Sequence, residues 1–131
     1  MRVIFLDIDG VLNRTRTAPF IRFDEDLTAL LREILERAGD DVRIVLTTFW
    51  RAFANYIAFL LSRHGIPESL VIGRTPGNEH RQSKNGEFSS RAEEIEAWLR
   101  TESEVTGFVI LDDRSDAGLG QVKPHFVQTC S

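Results

Sequence analysis

The chain has 131 residues, of which 42% are hydrophobic and 27% charged, a composition typical of one globular domain. Its single cysteine, Cys130, excludes an intrachain disulfide, and no apolar run approaches the roughly 20 residues of a membrane-spanning helix. The net charge of −4 argues against a general nucleic-acid coat protein. We therefore expect one domain over residues 1–131, with no membrane contact, no obligate protein partner and a cytoplasmic location.

The first predicted element is a short buried strand at residues 3–6, which runs directly into two aspartates, Asp7 and Asp9. Side chains two apart on an extended backbone point to the same side, so we expect these carboxylates to converge, with Gly10 letting the chain turn. Two carboxylates that close repel each other unless a cation or a proton lies between them, and such a hard oxygen site suits magnesium. Taken alone, the segment could also be a simple acidic turn.

The remaining predicted elements alternate between helices and strands. In chain order they are a helix over 24–38, a strand over 42–46, a helix over about 50–64, a strand over 70–72, a helix that opens with a Ser90–Glu93 capping box, and strands over 108–111 and 125–129. The apolar residues expected to face the core from these helices are Leu27, Leu30, Leu31, Ile34, Leu35, Phe53, Ile57, Leu60, Leu61, Ala92, Ile95, Trp98 and Leu99. This alternation predicts a Rossmann-like three-layer α/β/α sandwich around a parallel sheet of about five strands.

Chemically useful side chains follow three of the predicted strands, at the edge where parallel sheets bind ligands. They are Asp7 and Asp9 after the first strand, Thr47 and Thr48 after the second, and Asp112 and Asp113 after the fourth. Arg51 follows closely on the second strand. It could bind a phosphate in bidentate fashion, or it could be a solvated residue in the first turn of the next helix. This distribution predicts that the functional site lies at the carboxyl edge of the sheet.

These motifs resemble those of the haloacid dehalogenase-like superfamily, a large group dominated by phosphatases. The first motif of that family is a hydrophobic strand followed by Asp-x-Asp-x-(Thr/Val)-(Leu/Val), and residues 7–12 fit it at each position. The resemblance implies that Asp7 is the nucleophile, which forms an aspartyl-phosphate. It also implies that Asp9 is the general acid and base, and that magnesium is the cofactor. The expected core carries no cap domain, since only about thirty residues separate Leu12 from Val42 and a loop of about fifteen follows the third strand.

The resemblance implies roles for residues near the other strand ends as well. Thr47 resembles the hydroxyl that hydrogen-bonds the phosphoryl group, and Gly10 and Thr48 are candidate substrate-binding residues beside it. The family also carries a Lys or Arg near the start of the helix before the fourth strand. Arg91 is the favoured candidate, because a helix start is a fixed platform, and Lys84 in the preceding loop is the alternative.

The fourth motif of the family places acids after the fourth strand to complete the metal site. The resemblance therefore implies a magnesium site formed by Asp7, Asp9, Asp112 and Asp113. Because successive strand residues point to opposite faces, we expect only one of Asp112 and Asp113 to contact the metal directly. The other, together with Asp116, is expected to act through water or to hold the loop.

Within the superfamily, the small phosphatase-like domains of Swiss Army Knife RNA-repair proteins are the subgroup that the chain resembles. The segments that carry this resemblance are residues 9–13, 47–51, 91–95 with Trp98 and Leu99, 110–113 and 127–129. The loops beside the expected site also contain basic residues that would attract a polyanion: Arg14, Arg16, Arg22, Arg74, Arg81 and Lys84. These basic residues could equally be ordinary solvated loop residues. With the subgroup resemblance, the expected substrate is a nucleotide or the phosphorylated end of a nucleic acid.

Two other classes of protein use a similar set of residues. One is a metal- or phosphate-binding regulatory domain with little turnover, which an Asn at position 7 or an apolar residue at position 9 would indicate; neither occurs. The other is a phosphate-receiver domain of the response-regulator type. That type carries its phosphorylated aspartate on the third strand, and residues 70–73 contain no acid. Hydrolysis of a phosphomonoester is therefore the favoured function.

Overall fold

The computed structural model describes residues 1–14, 21–48, 50–77 and 90–129, which form a five-stranded sheet with helices on both faces. The strands are β1 (Arg2–Leu6), β2 (Val42–Leu46), β3 (Val71–Arg74), β4 (Gly107–Asp112) and β5 (Phe126–Gln128), and the helices are α1 (Glu25–Ala38), α2 (Ala54–Ser62) and α3 (Arg91–Thr101). The strand order is β3-β2-β1-β4-β5, and every neighbouring pair is parallel. The predicted Rossmann-like parallel sheet is thus confirmed.

The alternation of side chains along β1 divides the core into two layers. Ile4 and Leu6 belong to a buried cluster with residues of α1 and α2, whereas Val3 and Phe5 belong to a second cluster with residues of α3. In the second cluster, the rings of Phe5 and Trp98 meet edge to face at 5.5 Å between centroids. The helices therefore cover opposite faces of the sheet, which gives the predicted three layers.

The register of the strands sets the level at which the site is built. Phe5 lies opposite Val45 of β2 and Ile110 of β4, and all three side chains pack in the α3 layer. Two further backbone hydrogen bonds continue this ladder, because the amide of Thr47 donates to Leu6 (3.0 Å) and the amide of Asp7 donates to Leu111 (3.1 Å). Asp7, Thr47 and Asp112 are therefore level with one another at the carboxyl ends of three adjacent strands.

The buried stripe of α1 is narrower than its sequence predicts. Leu31 and Leu35 are buried, but Leu30 and Ile34 are 55% and 44% exposed, so their predicted core positions are wrong. Each step along a helix turns by about 100°, and a helix that packs on one sheet buries only the side chains facing that sheet. The polar Thr28 lies on the buried side instead, with its hydroxyl donating to the carbonyl of Glu25 at 3.0 Å.

The second helix begins later than predicted. A 3-10 turn over Arg51–Phe53 precedes α2, and Phe53 is 55% exposed, so its predicted place in the core is wrong. Ile57 and Leu61 are buried as predicted.

In the described part of the chain no helix combines the length and the apolar character needed to cross a membrane. These described residues also form no separate domain over the carboxyl edge of the sheet.

Candidate active site

Three carboxylates converge where β1 and β4 end. Asp7, Asp112 and Asp113 each offer an oxygen atom within 4.8 Å of the others, and Asp7 and Asp112 are buried. We call these three residues the acidic cluster. Carboxylate oxygens are the ligands that magnesium prefers, and three negative groups this close need positive charge between them. The donor set therefore fits a hard divalent cation.

Arg91 lies inside this arrangement and pairs with two members of the acidic cluster. Its Nη1 atom is 2.8 Å from Oδ2 of Asp112 and 3.2 Å from Oδ2 of Asp7, and its side chain is only 4% exposed. Its guanidinium therefore already supplies positive charge to two of the three carboxylates.

The start of α3 fixes the position of Arg91. The Ser90 hydroxyl accepts a hydrogen bond from the amide of Glu93 (3.2 Å), which caps the helix as the sequence predicts. The amide of Arg91 donates to Oδ2 of Asp116 at 3.0 Å, and Arg114 binds both carboxylate oxygens of Asp116. Asp116 thus lies outside the acidic cluster and anchors the helix that carries Arg91.

The environment of Asp7 makes its charge state sensitive to a bound cation. Burial raises the pKa of Asp7 to about 7; the positive charge of Arg91 opposes this rise and the neighbouring Asp112 adds to it. A carboxylate attacks phosphorus only when it is deprotonated. A cation in the acidic cluster would favour the deprotonated form by replacing the proton as the source of positive charge.

Asp112 and Asp113 are not equivalent, as strand alternation predicts. Both oxygens of Asp112 are bound by protein donors, Oδ2 by Arg91 and Oδ1 by the amide of Arg114 at 2.9 Å. The carboxylate of Asp113 lies against Gly10 instead, and a Cβ atom at that glycine would stand 2.3 Å from Oδ2 of Asp113. The two neighbouring carboxylates thus have different surroundings.

Gly10 is needed here for two independent reasons. Its φ angle of +83° is one that residues with a side chain rarely adopt, and the missing Cβ leaves the space that Asp113 occupies. The predicted turn at Gly10 is therefore confirmed. Thr129, after β5, holds the same turn through a hydrogen bond from its hydroxyl to the carbonyl of Gly10 at 2.7 Å.

Asp9 lies apart from the acidic cluster, although it is only two residues from Asp7. The chain leaves the extended conformation after Leu6, and the amides of Val11 and Leu12 both donate to the carbonyl of Ile8. The rule that side chains two apart share one side holds only within a strand. The carboxylate of Asp9 is bound instead by Nδ2 of Asn13 (2.9 Å) and by Nε1 of Trp50 (3.3 Å).

The residues after β2 shape the opposite side of the site. Thr47 is fully buried at the level of Asp7, and Thr48 is buried with its hydroxyl accepting a hydrogen bond from the amide of Trp50 at 3.2 Å. The predicted roles of the Arg51 side chain and of Lys84 lie outside the described residues.

The predicted basic rim is only partly described. Arg22 and Arg74 are exposed, whereas Arg14 forms ion pairs with Asp24 and Asp26, which neutralise much of its charge. The other members of the rim, Arg16, Arg81 and Lys84, lie outside the described residues.

Asn13 and Trp50 are site residues whose roles the sequence did not reveal. Both belong to segments that carry the family resemblance, but neither has a side chain that reacts. Asn13 is 3% exposed, accepts a hydrogen bond from the amide of Gly10 (3.2 Å), and donates to Asp9 and to the carbonyl of Arg22 (2.8 Å). A polar residue placed directly after a catalytic motif was the available signal.

Comparison with known protein families agrees with this geometry. The family model described as the HAD domain in Swiss Army Knife RNA repair proteins matches residues 3–131, where HAD stands for haloacid dehalogenase-like. Comparisons of the chain with curated proteins and with solved structures found no match. The match spans nearly the whole chain, includes every residue of the acidic cluster and confirms the predicted resemblance. The chain therefore belongs to the family of haloacid dehalogenase-like domains found in Swiss Army Knife RNA repair proteins.

Proposed function

We propose that this domain is a magnesium-dependent phosphomonoester hydrolase that works through an aspartyl-phosphate at Asp7. The observation that carries the proposal is the pairing of Arg91 with Asp7 and Asp112 inside a cluster of three carboxylates. Phosphoryl transfer needs positive charge on both sides of the reacting oxygen atoms, and it needs a nucleophile held between them. Arg91 supplies one of these charges from a fixed helix start.

Magnesium would be held by Asp7 and Asp113, with Asp112 kept in place by Arg91 and Arg114. When bound, it would neutralise charge on the phosphoryl oxygens and favour the deprotonated form of Asp7. Asp9, which the sequence also assigned to the metal, has both carboxylate oxygens bound by Asn13 and Trp50. These contacts favour an acid–base role for Asp9 over a metal-binding role of its carboxylate.

In the first step, a carboxylate oxygen of Asp7 forms a bond to phosphorus while the bond from phosphorus to the leaving oxygen breaks. Asp9 gives its proton to that leaving oxygen, which takes the electron pair of the broken bond. Arg91 and Thr47 bind the phosphoryl oxygens. The buried Nε of Arg91, which has no hydrogen-bond partner among the described residues, is a donor suited to one of these oxygens.

In the second step, a water molecule attacks the phosphorus of the aspartyl-phosphate. Asp9, now deprotonated, takes a proton from this water, and the bond from phosphorus to Asp7 breaks. Inorganic phosphate leaves, and both aspartates return to their starting states. The location of Asp9 outside the acidic cluster supports this role, because Asp9 can gain and lose a proton without disturbing the groups that bind the metal.

The proposed substrate is a nucleotide or the phosphorylated end of a nucleic acid. The family is named for RNA repair proteins, and the described residues place no cap domain over the site, so a large substrate could reach it. The exposed Arg22 and Arg74 would add charge attraction for a polyanion. A domain that binds metal and phosphate with little turnover is the alternative.

Hydrolysis assays with a substrate panel test the proposal. We would compare an aryl phosphate, a mononucleotide, a sugar phosphate and a 3′-phosphorylated oligonucleotide, each with magnesium and with EDTA, at low and at high salt. We expect release of phosphate only with magnesium, with the oligonucleotide favoured at low salt. Magnesium binding by calorimetry without hydrolysis of any substrate would instead support the binding domain, and a salt-independent preference for the sugar phosphate would exclude a polynucleotide.

A further inference from the structure

The carboxylate of Asp9 is held between two neutral N–H groups that come from different segments of the chain. Asn13, after the first motif, donates to Oδ1, and the indole of Trp50, after β2, donates to Oδ2. Asn13 is 4 residues from Asp9 in the sequence and Trp50 is 41 residues away, so the first contact is local and the second is a tertiary contact. Each oxygen of Asp9 therefore has one donor.

The donors are themselves fixed by further hydrogen bonds. The Asn13 amide accepts from the amide of Gly10 and donates to the carbonyl of Arg22, which determines which of its atoms is oxygen and which is nitrogen. The amide of Trp50 donates to the hydroxyl of Thr48, in the segment that also carries Thr47. The orientation of Asp9 is thus tied to two loops of the site.

We infer that Asn13 and Trp50 are positioning residues that hold Asp9 as the proton donor to the leaving oxygen. The inference rests on the proposed phosphatase function. An indole nitrogen and an amide nitrogen can donate a hydrogen bond but cannot accept one. Both contacts therefore fix the orientation of the Asp9 carboxyl group, and neither nitrogen can accept a proton in place of the leaving oxygen of the substrate.

The same contacts keep Asp9 out of the acidic cluster. A fourth carboxylate that turned towards Asp7 and Asp113 would add negative charge and compete for the metal ion. A general acid must also lie within hydrogen-bond distance of the atom that it protonates. Loss of one N–H donor would let the Asp9 side chain leave this position, without removing any group that binds phosphate or metal.

The inference predicts a dependence on the leaving group. The leaving group of a nitrophenyl phosphate is a stable nitrophenolate anion, which needs little protonation. The leaving group of an alkyl phosphate is a strongly basic alkoxide, which requires the proton from Asp9. General acid catalysis contributes about 10²- to 10⁴-fold in rate. Asp9 also acts in the hydrolysis of the aspartyl-phosphate, so the comparison uses kcat/KM, which reports only the steps up to departure of the leaving group. We expect Trp50→Phe, which keeps an aromatic ring but loses the N–H, to lower kcat/KM about 10-fold for an alkyl phosphate and at most about 2-fold for a nitrophenyl phosphate.

A double-mutant cycle makes the test specific, with circular dichroism to check folding. The variants are Trp50→Phe, Asp9→Asn and the two combined, with Tyr56→Phe as the control because Tyr56 is an exposed aromatic residue on α2 with a polar group. If Trp50 acts through Asp9, Trp50→Phe has no further effect on the Asp9→Asn variant. If Trp50→Phe does not fold, Asn13→Ala removes the other donor and is measured in the same way.

An equal loss of kcat/KM for both substrates, or the same loss in the Asp9→Asn background, would show a merely structural role and overturn the inference alone. An inactive wild-type protein with magnesium would overturn the proposed function and the inference with it. The expected result is a selective loss on the alkyl phosphate that disappears when Asp9 is already Asn, with Tyr56→Phe unchanged on both substrates.

Discussion

Asp7 and Asp9 are two residues apart, yet they lie in opposite environments. Asp7 is 4% exposed, contacts the positive charge of Arg91, and has its pKa raised to about 7 mainly by burial. Asp9 is half-buried and bound by neutral N–H groups of Asn13 and Trp50. The comparison shows how one short motif can place two carboxylates in different environments, because the strand ends at Leu6 and the turn that follows gives each carboxylate its own partners.

The largest expected effect is the loss of turnover when Asp7 is replaced. Asp7→Asn keeps the size of the side chain but removes the nucleophile, so we expect the hydrolysis of an aryl phosphate to fall by about a thousandfold or more. Asp9→Asn should lower kcat/KM for this substrate far less, because an aryl leaving group needs little protonation. Asp40→Asn, the same change at the exposed residue before β2, is the control. Substantial turnover by a folded Asp7→Asn protein would exclude the covalent mechanism.

The next effect concerns the positive charge inside the acidic cluster. Arg91→Ala leaves Asp7 and Asp112 buried without their cation, a change that typically costs about 3–5 kcal/mol of stability. Denaturant unfolding measures this loss, and the hydrolysis assay measures the accompanying loss of activity. Lys84→Ala should cost less activity than Arg91→Ala. The opposite order of the two variants would transfer the role of the phosphate-binding cation to Lys84.

A smaller expected effect is on how the melting temperature depends on pH, and this dependence distinguishes Asp7 from Asp9. The pKa of Asp7 is raised above its usual 3.8 to about 7 in the folded protein, so the folded state holds a proton that the unfolded state releases. This contribution is fully present below about pH 4 and is lost as the pH rises to about 7. In EDTA, Asp7→Asn should therefore raise Tm relative to wild type more at pH 8 than at pH 5.

Thermal unfolding of the two proteins at both pH values checks this prediction, and magnesium sharpens it. Because the metal ion competes with the proton for Asp7, magnesium should stabilise the wild type more at pH 8 than at pH 5. Asp9→Asn serves as the comparison. A pH dependence that Asp7→Asn leaves unchanged would show that Asp7 does not hold this proton.

The smallest expected effect distinguishes strain at a glycine from its contact with Asp113. Gly10→Ala and Gly39→Ala both place a side chain at positive φ, +83° and +96°, at a cost of about 1–2 kcal/mol each. Only at Gly10 does the added Cβ collide with Asp113, since the nearest atom at Gly39 is 3.7 Å away. Gly10→Ala alone should therefore weaken magnesium binding in a calorimetric titration. Equal affinity in the two variants would argue against Asp113 as a metal ligand.

Much of the candidate site could be predicted because its parts are local in sequence. A polar residue that follows a strand lies at the carboxyl edge of the sheet, and the first motif alone identifies Asp7 as a residue of the site. The capping pattern at Ser90 also located the start of α3, and with it Arg91. The roles of Asn13 and Trp50 were not predictable in this way, because neither residue type is reactive and their function is to contact Asp9.

By itself, the sequence determined the alternation of strands and helices, the parallel sheet and the family to which the chain belongs. Only the tertiary structure decided which charges meet. Arg91 pairs with both Asp7 and Asp112 because β1 lies next to β4 and their side chains face α3, and no local pattern encodes that strand order. It also decided that Asp9 leaves the acidic cluster, since its partner Trp50 is 41 residues away. Contacts between distant segments depend on register and packing, which periodicity within one segment does not specify.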